Sequence, residues 1–541
     1  MSESGAAIDI LVHKDAETAQ ALASSVIAID GVVPEDLSVS YRQLRVHAHP
    51  EALDKIARLD GVKYMEPVVK PTFGNDLARV EMRVDRVVDR HRFTGEGQVI
   101  SVNDSGFDTG DLTNTHPAFD NRVAALLPVA RPNQTNDPNG HGTHVCGSAV
   151  GSGTSPSMGG QIQGTAPGAS LVVSSIMNSA GAIGLPPDLY AMFKTPYTLY
   201  NSRVSSNSWY TPGTQTAYDL TARAVDNFCW DHKDCVVLFC AGNEGADTTK
   251  KIGSVSGAKN CITVGATLGS RPNDGTKYVP GAKAMDPFAV ATYSSRGPTL
   301  EGRIKPDVVA PGTAILSTAS RDPSVTAQAR QKYGPSTDPL WMYMSGTSMS
   351  TPLTAGCCAV LRQITIARGG ASPTNPSAAL IKALVINGSL SLGETHADSS
   401  KAVCAPNSAS GFGIVDIERS FVPHETFWHD NTVGLAAKTD PRPGQGSEAV
   451  HPVILNPASG KRGLKVTLAY TDRPGPDLEN KLSLTVVTPA KTFHDTQMQE
   501  NNVQQIIARD LAQDAEIRVT AERINRLDDV QPYAVVWRFL D

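Results

Sequence analysis

"GQVISVNDSGFD" (residues 97–108) is a short apolar run that stops at Asp104 and turns through Ser105 and Gly106. A brief apolar run closed by turn residues reads as a strand buried on both faces. The same texture recurs between residues 75 and 423, in "SLVVSSIM", "CVVLFCAGNEG" and "CITVGAT", each ending near Gly, Asn, Asp or Ser. Helical segments separate these runs. The alternation predicts an α/β region with a mostly parallel sheet flanked by helices. Ligand sites in such sheets lie at the carboxyl ends of the strands, where these polar residues fall.

The flanks read differently. Residues 1–74 carry two strand-like runs, "IDILVHK" and "LRVHAH", each followed by a helical segment, and then "VKYMEPVV". That order predicts an α+β unit, β-α-β-α-β or the ferredoxin-like β-α-β-β-α-β. "KPTFGND" (residues 70–76) reads as an exposed linker. Residues 424–541 hold strand-length runs such as "LKVTLAYTD", "KLSLTVV" and "AEIRVTA", separated by turn residues, which predicts an all-β sandwich of about six to eight strands.

Composition narrows the function classes. A chain of 541 residues is too long for one ordinary core. The net charge of −6, with no Lys/Arg cluster, argues against nucleic acid as a partner. No stretch approaches the ~20 apolar residues of a membrane helix. The start, "MSESGAAIDILV", lacks a basic leader region, so the expectation is a soluble cytoplasmic protein, with secretion by an unrecognised route as the alternative. The eight cysteines form no framework and no zinc spacing. Most sit in apolar segments, where buried thiols are expected, and a local Cys229–Cys235 disulfide is the alternative.

Three strand or helix ends carry chemistry beside Asp104. "NGHGTHVCGSAVG" places His141 at a helix start between Gly140 and Gly142, and "FCAGNEG" ends a strand at Asn243. "MSGTSMSTPLTAG" (residues 344–356) crowds hydroxyls and Pro352 before an apolar helix. Hydroxyls cap helices and proline suits a first turn, so Ser345 and Ser350 read as local caps. Ser348 reads instead as a nucleophile at the positive end of that helix. With His141 as base, Asp104 as its orienting carboxylate and Asn243 as oxyanion donor, the set is complete. His144 makes an HxxH without the Glu of a zincin helix and reads as structural, while Asp108 and Asp137 read as turn holders.

In order, "DSGFD", "HGTHVCG", "AGNEG", "YSSRGP", "KPDVVAPG" and "SGTSMSTP" resemble the subtilisin-like serine proteases. "NDLARVEMRVDRV", "GEGQVISVNDSG", "SNSW" and the β-rich tail are most similar to the alkaline-protease branch with a C-terminal β-sandwich. The first 70 residues resemble the family's inhibitory propeptide. The resemblance implies a serine endopeptidase that acts on protein or peptide through an acyl-enzyme. It implies a zymogen that cuts itself between Lys70 and Asp76, with its own propeptide as intramolecular inhibitor. Substrate contacts then fall on Ser208, Trp209, Tyr210, Gly242, Glu244 and Thr347. No cofactor is expected. Calcium is common in the family, but "NKLSL" (residues 480–484) puts Lys481 and Ser483 where relatives are more acidic, which makes poor ligands for a hard cation. Tyr210 also departs from the family, which has Gly there. Two alternatives stand beside the endopeptidase: a processing enzyme of narrow, exo- or transpeptidase specificity, and a catalytically silent binding module.

Overall fold

The computed structural model describes residues 6–13, 18–39, 43–67, 76–212, 217–247, 251–368, 375–392, 406–436, 447–455, 461–495, 500–526 and 529–540. They fall in two compact units, Met1–Thr72 and Phe73–Asp541.

In the first unit the order is β1 (Ala6–Val12), α1 (Thr18–Ile27), β2 (Val32–Val39), β3 (Gln43–Ala48), α2 (Pro50–Ala57) and β4 (Val62–Pro67). The sheet runs β2-β3-β1-β4 and is antiparallel throughout. This is the ferredoxin-like one of the two expected patterns. Ile8, Ile10 and Val46 on the sheet meet Leu22, Val26, Ala52 and Ile56 on the helices in one small core. Strand β2 was not legible as such, because Pro34 interrupts it. It lies at a sheet edge, where a missing N–H is tolerated, and its register shifts between Val33 and Ser38. Residues 70–75 of the expected linker lie outside the described residues.

The second unit is built on a seven-stranded parallel sheet. Chain order runs α3 (Asp76–Glu81), α4 (Val84–His91), β5 (Val99–Asp104), β6 (Val123–Pro128), α5 (His141–Val150), the hairpin β7 (Ser152–Ser155) and β8 (Gly160–Gln163), and β9 (Ser170–Ser175). It continues with α6 (Leu189–Tyr200), β10 (Val204–Asn207), α7 (Leu220–Asp231), β11 (Val236–Cys240), β12 (Ile262–Thr267) and β13 (Val308–Pro311). Strands β10, β11, β12 and β13 are buried at every position, as sheets covered on both faces require. The sheet order β13-β12-β11-β10-β5-β9-β6 reverses direction between β5 and β10. Their adjacent carboxyl ends form the crevice in which such folds bind ligands.

After β14 (Ile315–Thr318), α8 (Ala327–Arg330) and β15 (Trp341–Met344) comes α9 (Thr347–Ala367), buried at all but three of its 21 residues. An all-round buried helix is a core element. Its start corrects the capping expectation. The N-cap is Gly346, with no side-chain cap. The Ser345 hydroxyl accepts the Ala314 N–H at 2.8 Å, and the Ser350 hydroxyl donates to the carbonyls of Ala310 (2.9 Å) and Pro311 (3.1 Å). Both hydroxyls tie the helix to the end of β13 and the turn after it. Pro352 sits five residues past Thr347, inside the helix rather than in its first turn.

Helices α10 (Ala378–Gly388) and α11 (Ile417–Ser420) lead into β16 (Thr426–Ala436), β17 (Glu448–Val453), β18 (Gly463–Ala469), β19 (Lys481–Val487), β20 (Thr492–His494), β21 (Val503–Ala508), β22 (Ala515–Arg523) and β23 (Val530–Leu540). They make two four-stranded antiparallel sheets, β16-β23-β18-β21 and β17-β22-β19-β20. The sandwich shares one compact unit with the α/β region. Ala469, Val503, Ala534 and Val536 of the sandwich join the apolar core of the α/β region, and buried polar bonds cross the same joint. Asn387 at the end of α10 donates to Lys465 O (3.1 Å) and Val536 O (3.3 Å), and Asp430 accepts from Ser377 N–H (2.9 Å) and its hydroxyl (2.6 Å). The seven described cysteines are buried thiols, so the local disulfide does not form; Cys404 lies outside the described residues.

Candidate active site

Asp104 ends β5 and is 4% exposed; one of its oxygens lies 2.7 Å from Nδ1 of His141, the first residue of α5. Gly142 makes this approach sterically feasible, since a Cβ there would lie 2.3 Å from Gly106 O. Asp137 clamps the same junction. One of its oxygens accepts from the Ser105 hydroxyl and from Gly140 N–H at 2.8 Å each, and the other accepts from Thr143 N–H (2.8 Å) and its hydroxyl (2.7 Å). Ser105 accepts Gly142 N–H in turn, at 2.8 Å. The turn-holding reading of Asp137 thus describes its contacts, and Asp108 likewise binds Arg321 at 2.6 Å.

Burial alone would lower the pKa of His141, but the Asp104 carboxylate and its hydrogen bond, with a smaller contribution from Asp137, hold it above the ordinary 6.5. His144 behaves oppositely. Burial pushes it down to about 3, and its Nε2 lies 3.0 Å from Ile315 O, so it remains a neutral core residue. At the end of β11, burial pushes the Cys240 thiol up to about 12, which leaves it inert as a nucleophile.

Ser348 is the second residue of α9, in the first turn, whose N–H groups lack intrahelical acceptors. Its hydroxyl donates to Ser208 O at 3.1 Å, and the Ser208 hydroxyl donates back to Ser348 O at 2.8 Å. Pro352 explains the second bond. It is four residues on and has no N–H, so the Ser348 carbonyl lacks its helical donor and takes one from Ser208. Thr347 is fully buried and orients Asn243. Its N–H and hydroxyl both donate to Asn243 Oδ1 at 2.9 Å, while the hydroxyl accepts Gly242 N–H at 3.2 Å. With its oxygen so engaged, the exposed Asn243 presents its Nδ2 donor beside Gly346, where a Cβ would lie 3.3 Å away.

A cleft of about 370 Å³ opens beside these groups, lined by Asp104, His141, Ser208, Tyr210, Met177 and Ile183 among others. The Tyr210 ring packs on Gly242, because a Cβ built there would lie 3.0 and 3.2 Å from two ring carbons. Trp209 is only 4% exposed, and its ring meets Phe239 edge-on at 5.1 Å, so its side chain belongs mainly to the core under the cleft. Glu244 follows Asn243 with its N–H on the Ser295 hydroxyl at 3.1 Å. Sequence reasoning overlooked Ser105, Ser295, Met177 and Ile183. Ser105 and Ser295 stand inside the quoted motifs, but nothing local marks their long-range bonds.

Calcium does not fit the "NKLSL" segment. Asn480 donates its amide to Gln531 at 2.9 Å, and the Lys481 ammonium lies 3.8 Å from Glu522. Among the described residues no group of three or more His, Cys, Asp or Glu side chains is arranged to hold a metal ion, and no helix is long and apolar enough to cross a membrane.

The subtilase family model matches residues 95–413 of this chain. The serine protease/ABC transporter B family protein tagD of Dictyostelium discoideum is 27% identical over 411 residues, 59% of this chain and 22% of that protein. Serine protease AprX of Bacillus subtilis (strain 168) is 33% identical over 280 residues, 50% of this chain and 58% of AprX. The chain thus spans about a fifth of tagD and somewhat over half of AprX. The structure of fervidolysin from Fervidobacterium pennivorans overlays 94% of this chain and 69% of its own, with a TM-score of 0.47 at 19% identity.

Proposed function

Since the chain belongs to the subtilase family, we propose that it is a serine endopeptidase in which Asp104, His141, Ser348 and Asn243 carry the reaction. The observation that supports this most is the 2.7 Å His141–Asp104 contact at the mouth of a cleft that Ser208, the bonding partner of Ser348, also lines. The Ser348 hydroxyl leaves the Ser208 carbonyl, turns to His141 Nε2 and loses its proton there as it attacks a peptide carbonyl. Asp104 keeps the imidazole in the tautomer that carries the proton on Nδ1, and stabilises the imidazolium. The oxyanion is held by Asn243 Nδ2 and the Ser348 N–H, each such donor being worth about 10²–10³ in turnover, a magnitude measured in this same family. His141 then protonates the leaving amine, and water resolves the acyl-enzyme by the same steps in reverse.

On this reading the first unit is an inhibitory propeptide and the chain is a zymogen that cuts itself between Lys70 and Asp76. The ferredoxin-like fold of Met1–Thr72 as a unit of its own supports it. The packing of Tyr210 on Gly242 favours a narrow choice of substrate, since that ring takes up room beside the reacting groups. A fluorophosphonate probe tests the core of the proposal. It should add one label at Ser348, read by intact mass, with none on Ser348→Ala; no labelling of well-folded parent chain would favour the silent binding module.

A further inference from the structure

Asn103 and Asn207 are fully buried carboxamides, one position before Asp104 in β5 and one before Ser208 at the end of β10. The parallel ladder between these two strands is registered at Val204↔Ile100, Ser205↔Ser101 and Ser206↔Val102, and goes no further. Each strand meanwhile keeps its outer neighbour. β5 pairs with β9 as far as Asp104↔Ser175, and β10 pairs with β11 as far as Asn207↔Phe239. The sheet therefore parts between β5 and β10 where its order reverses, which is where the crevice opens.

A side-chain bridge crosses the gap. Asn103 Nδ2 donates to Asn207 Oδ1 at 2.9 Å and to the Ser205 hydroxyl at 3.2 Å. Asn207 Nδ2 donates to Leu238 O at 3.0 Å. A carbonyl can only accept, so Leu238 fixes which way the Asn207 amide faces and requires Asn103 to present its NH2 group. Burying carboxamides is costly unless they are bonded, and an apolar pair would serve packing as well. The satisfaction here is also incomplete, since Asn103 Oδ1 is buried with no hydrogen-bond partner among the described residues. What the pair adds is a fixed distance between two diverging strand ends.

Resting on the endopeptidase reading above, we propose that Asn103 and Asn207 are positioning residues, which hold the Asp104–His141 side of the site at its working distance from the Ser208–Ser348 side. Asp104 carries His141 through their 2.7 Å contact, and Ser208 carries Ser348 through the two bonds between them. The substrate contacts at Ser208 and Tyr210 stay with Ser348, while the base stays with β5. Losing the bridge therefore alters the separation of nucleophile and base, which is read in kcat, and leaves KM nearly unaltered. Errors in that separation are expensive, about 10²-fold for 1 Å.

The test compares Asn103→Val, Asn207→Val and the double variant in the full chain, by peptide hydrolysis and, in a Ser348→Ala background, by thermal unfolding. Each single variant should lower kcat about tenfold with KM within about threefold. Each should also lower the unfolding midpoint, because one buried amide loses its partner. In the double variant neither amide is left behind, so the midpoint should return toward that of the parent. Its kcat should stay about tenfold down, no lower than in the single variants, because all three break the same bond. An unchanged kcat in the folded single variants, or a double variant whose kcat recovers with its midpoint, overturns the positioning role and leaves the endopeptidase reading intact. A folded parent chain that neither hydrolyses peptide nor takes the fluorophosphonate label overturns that reading, and the positioning role with it. Where a single variant does not fold, the double variant decides by the same two measurements.

Discussion

Lys259→Met should loosen the sandwich from the α/β region, and the size of the effect follows from what the ammonium touches. Lys259 Nζ lies 2.6 Å from Asp472 Oδ2, and both side chains are 0% exposed. It also donates to Arg473 O (2.7 Å) and Asp477 O (2.6 Å), so one cation satisfies three oxygens of a single sandwich loop. Breaking a buried ion pair by removing one partner costs about 3–5 kcal/mol, because the other charge is left without compensation. The two carbonyls add to this, while the N–H groups of Glu479 and Asn480, each 2.9 Å from Asp472, soften it. We therefore expect a loss of about 4 kcal/mol. With a urea slope of about 3 kcal/mol/M, the midpoint falls by roughly 1 M. Equilibrium unfolding followed by tryptophan fluorescence, in a Ser348→Ala background to remove self-digestion, measures it. Adding Asp472→Asn to Lys259→Met removes the stranded charge and should recover part of the loss. A midpoint shift under about 0.3 M, or a double variant no more stable than Lys259→Met, would refute the reasoning.

Three further outcomes are expected. If His141 is the base as proposed, it must be neutral, and Asp104 holds its pKa above 6.5, so kcat/KM should rise with pH through a midpoint above 6.5, and Asp104→Asn should lower turnover by about 10⁴, the loss seen in triad proteases. Tyr210→Gly should raise kcat/KM at least tenfold for peptides with bulky side chains next to the cut bond, at roughly 1–3 kcal/mol per clash relieved, and leave small ones within about threefold in a peptide-library assay. The Glu81 carboxyl, whose buried Oε2 has no hydrogen-bond partner among the described residues, is pushed up to about 7 by burial, against hydrogen bonds from Ser270. Its folded pKa exceeds its unfolded one, so stability is lost as pH rises from about 4.5 to 7, and Glu81→Gln should raise stability by about 2 kcal/mol at pH 8 but not at pH 4 in urea titrations.

The strand ends were legible because burial on both faces leaves a strong signature. Runs such as "CVVLFC" admit only apolar residues, and the polar residue that follows each marks where the sheet meets solvent. Strands β16 and β20 were not legible. "TFWHDNTVGLA" has no clean alternation because its register shifts between Asn431 and Leu435, near Gly434 at φ +87°, and "TFH" is too short to carry a period.

Among the candidate site residues, Asp104, His141, Asn243 and Ser348 stand out in the sequence by type and position, whereas the long-range bonds that hold them leave no local mark. Pro352 shows why. Within its own helix it reads only as a permitted proline, and local rules placed it in the first turn. Its consequence lies far off in the chain, where the Ser208 hydroxyl, 140 residues before Ser348, replaces the missing N–H on the Ser348 carbonyl. That exchange fastens the Ser348 backbone to the end of β10, the strand that flanks Asp104 across the reversal point of the sheet. An ordinary helix start would have satisfied the carbonyl internally and left the position of Ser348 to packing alone. The proline thus trades a local bond for a long-range one, and the long-range bond ties the start of α9 to the end of β10, the strand paired with β5, which ends at Asp104.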